Sequence, residues 1–157
     1  MAGACGTCTA CCRVYAIPEL GKPAGEWCRH CDVGVGCKIY TERPNMCVNY
    51  SCFWLESQFN GVNLPVEMRP DKCKVVFSPT TNPEIMAGLT MKGYNDAWRK
   101  GSARKIIDLL LKAGLRVAVG APTSTTKIMI DKYGEKEVKM TAPDKDGMQW
   151  SIPNAKR

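Results

Sequence analysis

Cys5-Gly6-Thr7-Cys8-Thr9-Ala10-Cys11-Cys12 puts four thiols into eight residues near the start of the chain. Each Cys-x-x-Cys step lets a tight turn present two sulfurs to one ion, and Gly6, Thr7 and Ala10 are small or turn-tolerant enough to allow it. Cys11 and Cys12 discriminate further. Neighbouring side chains diverge from the backbone, so both reaching one tetrahedral ion would be strained. The pair predicts two metal positions close together, or different metals of one polynuclear cluster, drawing on about eight sulfurs.

Moving outward, Cys28, Cys31, Cys37, Cys47 and Cys52 follow at ligand-like intervals, so nine of the ten cysteines lie in the first 52 residues and only Cys73 stands apart. Zinc takes four thiolates in tetrahedral geometry. A cubane iron–sulfur cluster also takes four, and Cys-x-x-Cys-x-x-Cys resembles one of its spacings. Thiolate-only ligation suits both. Zinc, at about two ions, is the favoured expectation, with iron or an iron–sulfur cluster the close alternative.

Residues 1–56 have few aliphatic side chains and several glycines and prolines, and a segment of that size needs a staple of disulfides or metal. The N-terminus shows no basic stretch followed by an apolar one, so no secretory signal is expected. A cytoplasmic, reducing location follows, and it favours metal over disulfides.

The pattern Cys5-x2-Cys8-x2-Cys11-Cys12, Cys28-x8-Cys37, then Lys38-Ile39-Tyr40-x2-Arg43-Pro44-x2-Cys47-x4-Cys52 resembles the CxxCxxCC zinc- or iron-chelating family, the YkgJ-like cysteine-cluster proteins. The resemblance covers residues 5–54, about a third of the chain. It implies a chelating module with ligands Cys5, Cys8, Cys11, Cys12, Cys28, Cys37, Cys47 and Cys52, and no established activity. A similar motif sits beside the methylation machinery of flagellin lysine methylases, which brings an iron–sulfur accessory role into view. Cys31 and Cys73 fall outside the pattern. Cys28-Arg29-His30-Cys31 is itself a knuckle spacing, so Cys31 is a substitute for Cys28 or a bystander. Cys73 is expected to be a buried small hydrophobe.

The net charge of +7 is uneven. Residues 1–56 carry five Lys/Arg and five Asp/Glu, and residues 57–157 carry 17 against 10. Eight thiolates and two divalent ions would bring the whole protein to about +3, which weakens any argument for a polyanion partner. No stretch approaches the roughly 18 apolar residues of a membrane span.

The expected fold class is α+β. A loop-rich cysteine module over 1–56 and a linker over 57–72 precede a small α+β domain over 73–157, in the order β-β-α-β-β with room for a further strand. Strands are expected at Lys74–Phe77 and over 84–91, although Asn82-Pro83-Glu84 could instead open a helix. Ser102 is expected to cap a helix with Ile106, Leu109, Leu110 and Ala113 on one face, ended by Gly114. Leu115–Val119 reads as a strand. Residues 126–132 and 135–141 read as a hairpin turning at Tyr133-Gly134, with Ile128 and Ile130 facing Val138 and Met140. One helix packed on a largely antiparallel sheet results.

His30, the single histidine, reads first as a loop residue and second as a ligand. Arg43-Pro44 shapes the chain, with Arg43 a donor to sulfurs or carbonyls. Trp27, Tyr40, Tyr50, Phe53 and Trp54 are expected to shield the metals, and the methionines to pack. Arg99, Lys100, Arg104 and Lys105 form a basic run near a helix start. It is a solvated face or a phosphate contact. No phosphate loop, nucleotide-binding glycine motif, nucleophile elbow or metalloprotease helix is present.

Three functions follow. The first is a non-enzymatic metal-binding protein whose C-terminal part meets a protein partner or assembly. The second is an iron–sulfur protein in electron transfer or a modification reaction. The third is a nucleic-acid-binding module using the basic C-terminal part. No membrane partner is expected.

Overall fold

The computed structural model describes residues 5–139. Its organising element is a five-stranded sheet made of β3 (Val75–Pro79), β4 (Ile85–Thr90), β5 (Arg116–Gly120), β6 (Thr126–Asp131) and β7 (Gly134–Lys139), adjacent in that order. The short β1 (Cys31–Asp32) and β2 (Gly36–Cys37) form a separate antiparallel hairpin. All pairings in the large sheet are antiparallel except β4 with β5. That parallel pair needs a crossover, which the helix α5 (Gly101–Lys112) supplies.

The two faces of the sheet follow from strand alternation. Val75, Phe77, Val117, Val119 and Ile130 point to one side and bury against Ala103, Ile106, Ile107 and Leu110 of α5, with Trp98, Met68 and Cys73. Val76 and Leu89 point to the other side and bury against Ala10, Val14, Cys52 and Leu55. The cysteine-rich segment is thus seated on the face opposite α5. Ile85, Ala118 and Met129 continue that second face, where Val138 covers them.

Four short helices surround this frame: α1 (Cys11–Val14), α2 (Asn45–Val48), α3 (Phe53–Phe59) and α4 (Pro70–Cys73). Residues 57–72, read as a linker, hold the end of α3, a 3₁₀ turn at Val66–Met68 and the start of α4. No helix among the described residues is long and apolar enough to cross a membrane.

Several local expectations are corrected. Ser102 makes no cap: extended Lys100 precedes the helix, and Gly101, at φ +67°, turns the chain into it. The buried stripe of α5 includes Ala103 and Ile107, while Leu109 is 44% exposed and Ala113, just past the helix end, is exposed as well. The hairpin turns on Lys132-Tyr133, because Asp131 pairs with Gly134. That register sets Ile128 opposite Glu137 and Ile130 opposite Glu135, and Val138 opposite Lys127. Met140 lies outside the described residues. Residues 85–90 form the strand expected over 84–91, and the Asn82 side chain accepts the Glu84 N–H.

Candidate metal centre

Cys5 to Cys8 is a single turn closed by the Cys8 N–H donating to Cys5 O at 3.1 Å, and α1 then carries Cys11 and Cys12. The Cys12 carbonyl accepts the Cys28 N–H at 3.1 Å, and the Cys28 carbonyl accepts that of Cys31 at 3.0 Å. Cys31 and Cys37 are cross-strand partners in the β1–β2 hairpin. Buried Thr9 holds that hairpin to the first turn, its Oγ1 accepting the Gly34 N–H at 3.1 Å.

The result is one cavity of about 120 Å³ lined by eight thiols: Cys5, Cys8, Cys11, Cys12, Cys28, Cys31, Cys37 and Cys47. Its other walls are mostly apolar or aromatic and include Tyr15, Ile17, Leu20, Ile39, Met46 and Tyr50. Seven of the eight residues implied by the family resemblance are therefore together, and Cys31 is beside them. Cys52 lies behind, in an adjoining cavity of about 290 Å³ that it shares with Cys5, Cys8, Cys11 and Cys47. Cys73 lines neither cavity: it is buried in the α5-side core, its sulfur near the carbonyls of Met68 and Val75. All ten cysteines are free thiols.

Among the described residues, no three His, Cys, Asp or Glu side chains are drawn together closely enough to hold an ion as they stand. The thiols ring a space rather than meet at a point. The donor set nonetheless fits a soft metal. The main cavity is lined by thiols with no carboxylate or imidazole among them, the combination that selects zinc or iron–sulfur chemistry. Burial pushes the Cys8 and Cys52 thiols up to about 11. Burial and the Cys12 thiol raise Cys31 to about 12 and Cys47 to about 11. The hydrogen bond to Cys11, and then burial, raise Cys12. Thiols in this setting lose their protons only when a cation arrives to replace them.

Residues around the cavity brace it. Arg43 donates from Nε to Tyr40 O at 2.8 Å and stacks on the Tyr40 ring at 3.7 Å, so it shapes the wall through backbone and ring. Tyr40 and Tyr50 line the cavity. Phe53 and Trp54 turn to the α5-side core, Trp54 also reaching the opposite cluster, and Trp27 is stacked by Arg13 at 5.2 Å. His30 lines neither cavity; it accepts a hydrogen bond from Arg29.

Two bracing residues escaped the sequence reading. Lys22 is buried, and its ammonium donates to Arg13 O at 3.2 Å, to Pro23 O at 3.1 Å and to Tyr15 O, closing off the end of α1. Burial lowers its pKa, and the neighbouring Cys28, Cys12 and Cys11 thiols oppose that. Arg69 makes a two-pronged pair with Asp71 at 2.6 and 2.8 Å and reaches Thr7 Oγ1 at 3.1 Å. Neither position has a periodicity or spacing that marks it. The only local signal for Lys22 is a lysine between Gly21 and Pro23 in a connector rich in proline and glycine.

The basic run near α5 is partly compensated. Arg99 pairs with Asp96 and Glu135, and Arg104 with Asp108 and Glu135. Searches with the whole chain found no matching protein-family model, curated protein or solved structure.

Proposed function

We propose that this chain is a metal-binding protein whose cysteine cluster holds two zinc ions, or a polynuclear metal centre, in a structural role. The observation that carries the reading is the convergence of eight thiols, from Cys5 to Cys47, on one cavity that has no competing carboxylate or imidazole. Structural thiolate sites contribute their binding free energy directly to folding. The secondary structure over 5–52 is short: the helices α1 and α2 have four residues each and the strands β1 and β2 two each. The cysteine pattern's resemblance to the CxxCxxCC chelating proteins points the same way. The sheet and α5 supply the scaffold, and exposed Leu109 and Tyr133 give that part apolar area for a protein partner.

Chelation tests the proposal. Stripping metal should release amide protection over residues 5–56 while β3–β6 keep theirs, and zinc should restore it. Unchanged far-UV circular dichroism and unchanged exchange in that segment would reject it.

A second reading has its own support. Thiols spread around an apolar, aromatic-walled space suit a polynuclear cluster, since such walls exclude water and tune a reduction potential. That reading expects a brown protein when purified without oxygen, bleaching reversibly on reduction. A colourless, zinc-loaded sample would reject it.

A further inference from the structure

The nine clustered thiols divide into two groups. Cys5 and Cys8, on one turn, pack with Cys52 in the apolar cluster against the sheet. These three, with Cys11 and Cys47, line the inner cavity, while Cys12, Cys28, Cys31 and Cys37 do not reach it. Those four are tied to one another by a different route. Backbone hydrogen bonds join Cys12 to Cys28 and Cys28 to Cys31, and the hairpin register joins Cys31 to Cys37. Cys52, conversely, does not line the main cavity.

Cys11 and Cys12 sit at the boundary. As consecutive residues of α1 they leave the helix axis about 100° apart, so each is free to serve a different group. Cys47 lines both cavities, but Cys5, Cys8, Cys11 and Cys52 already supply the four thiols of a tetrahedral ion. That places it with the second group.

We propose that the thiols form two separate metal positions: an inner one held by Cys5, Cys8, Cys11 and Cys52, and an outer one served by Cys12, Cys28, Cys31, Cys37 and Cys47. This rests on the metal-binding reading above and adds a division to it. The inner position has four thiols for a tetrahedral ion and none to spare. The outer position has five, one more than a tetrahedral ion uses, so it tolerates the loss of Cys31. Cys52 is then a ligand although it is absent from the main cavity. Cys31 is an exchangeable one although it stands inside it.

The test is a cysteine-to-serine series in the full chain, loaded with Zn²⁺ and weighed by native mass spectrometry. Wild type binding about two zinc ions is the starting condition. Cys52→Ser should lose about one of the two ions and keep the other. Cys8→Ser should do the same, which covers the event that the buried Cys52→Ser variant fails to fold. Cys31→Ser should keep both, and the double variant Cys28→Ser/Cys31→Ser should lose only the outer ion. A full complement in both Cys52→Ser and Cys8→Ser, or loss of both ions together in either, would overturn the division while leaving metal binding intact. Loss of an ion in Cys31→Ser would overturn the spare ligand. Wild type that takes up no zinc and carries no other metal would overturn the metal-binding reading itself.

Discussion

The Tyr15 hydroxyl lies 2.5 Å from the Ser78 Oγ, joining the floor of the cysteine cavity to the central sheet. Tyr50 reaches the same oxygen at 2.7 Å, and the two rings meet at a tilt of 55° with centroids 4.9 Å apart. Ser78 lies on the β3 face that also presents Val76, so strand alternation aims it at the cysteine-rich segment. Burial raises the Tyr15 phenol to about 12 and raises Tyr50 as well, so both stay protonated at neutral pH. Ser78→Ala leaves two buried hydroxyls without their shared partner. It should destabilise the chain by about 1–3 kcal/mol, and Tyr15→Phe combined with it should cost less than the sum. Urea denaturation of the single and double variants measures this; additive losses would mean that the two groups are not coupled.

Lys22 gives a second prediction. Lys22→Met retains the length of the side chain but leaves the carbonyls of Arg13, Tyr15 and Pro23 without their donor. A loss of about 1–3 kcal/mol is expected. Because the ammonium braces the end of α1, the helix that carries Cys11 and Cys12, zinc should be retained less tightly in competition with a chelator. Unaltered stability together with unaltered zinc retention would show that Lys22 has no role here.

Gly88 tests the sheet. It has no positive φ, but a Cβ there would sit 2.9 Å from Val119 Cγ1 and 3.0 Å from Phe77 Cε1. Gly88→Ala should therefore cost about 1–3 kcal/mol through overpacking of the α5-side core. Gly21→Ala meets nothing within 4 Å, and its φ of +61° is the only penalty, so about 1 kcal/mol is expected. Thermal melts of the two variants compare them, and an equal or smaller loss for Gly88→Ala would contradict the packing described.

Arg69 links the turn bearing Cys5 and Cys8 to α4. Arg69→Lys keeps the charge but gives up the two-pronged bond to Asp71 and the reach to Thr7. Amide exchange should speed up over residues 5–10 more than in α5. Uniform exchange across both would place the effect elsewhere.

The legible parts of the fold were those carried by apolar runs. Val75-Val76-Phe77 and the alternation Ile85, Ala87, Leu89 both lie in strands, because short runs between turn residues have few other ways to bury themselves. The helix is legible in the sequence, yet its buried face includes Ile107 and leaves Leu109 exposed. The stripe is set by where α5 crosses the sheet, and that is a tertiary fact. Register was misjudged by one residue at the β6–β7 hairpin, since Lys132-Tyr133 carries no glycine to announce a two-residue turn. At the site, spacing drew out the cysteines but could not show which faced one another. Cys31 falls outside the family pattern and stands in the cavity; Cys52 belongs to the pattern and stands behind it. Lys22 and Arg69 act through carbonyls and a hydroxyl from distant turns, contacts that leave no periodic trace in a sequence.

Metal analysis of the full chain, purified without oxygen and paired with alkylation of its thiols, tests the central claim most directly. The account predicts bound metal at about two zinc ions per chain, or an iron–sulfur chromophore in their place. It also predicts that the clustered cysteines resist alkylation until a chelator is added. A protein that carries no metal and whose cysteines alkylate freely, or are found joined in disulfides, would contradict it.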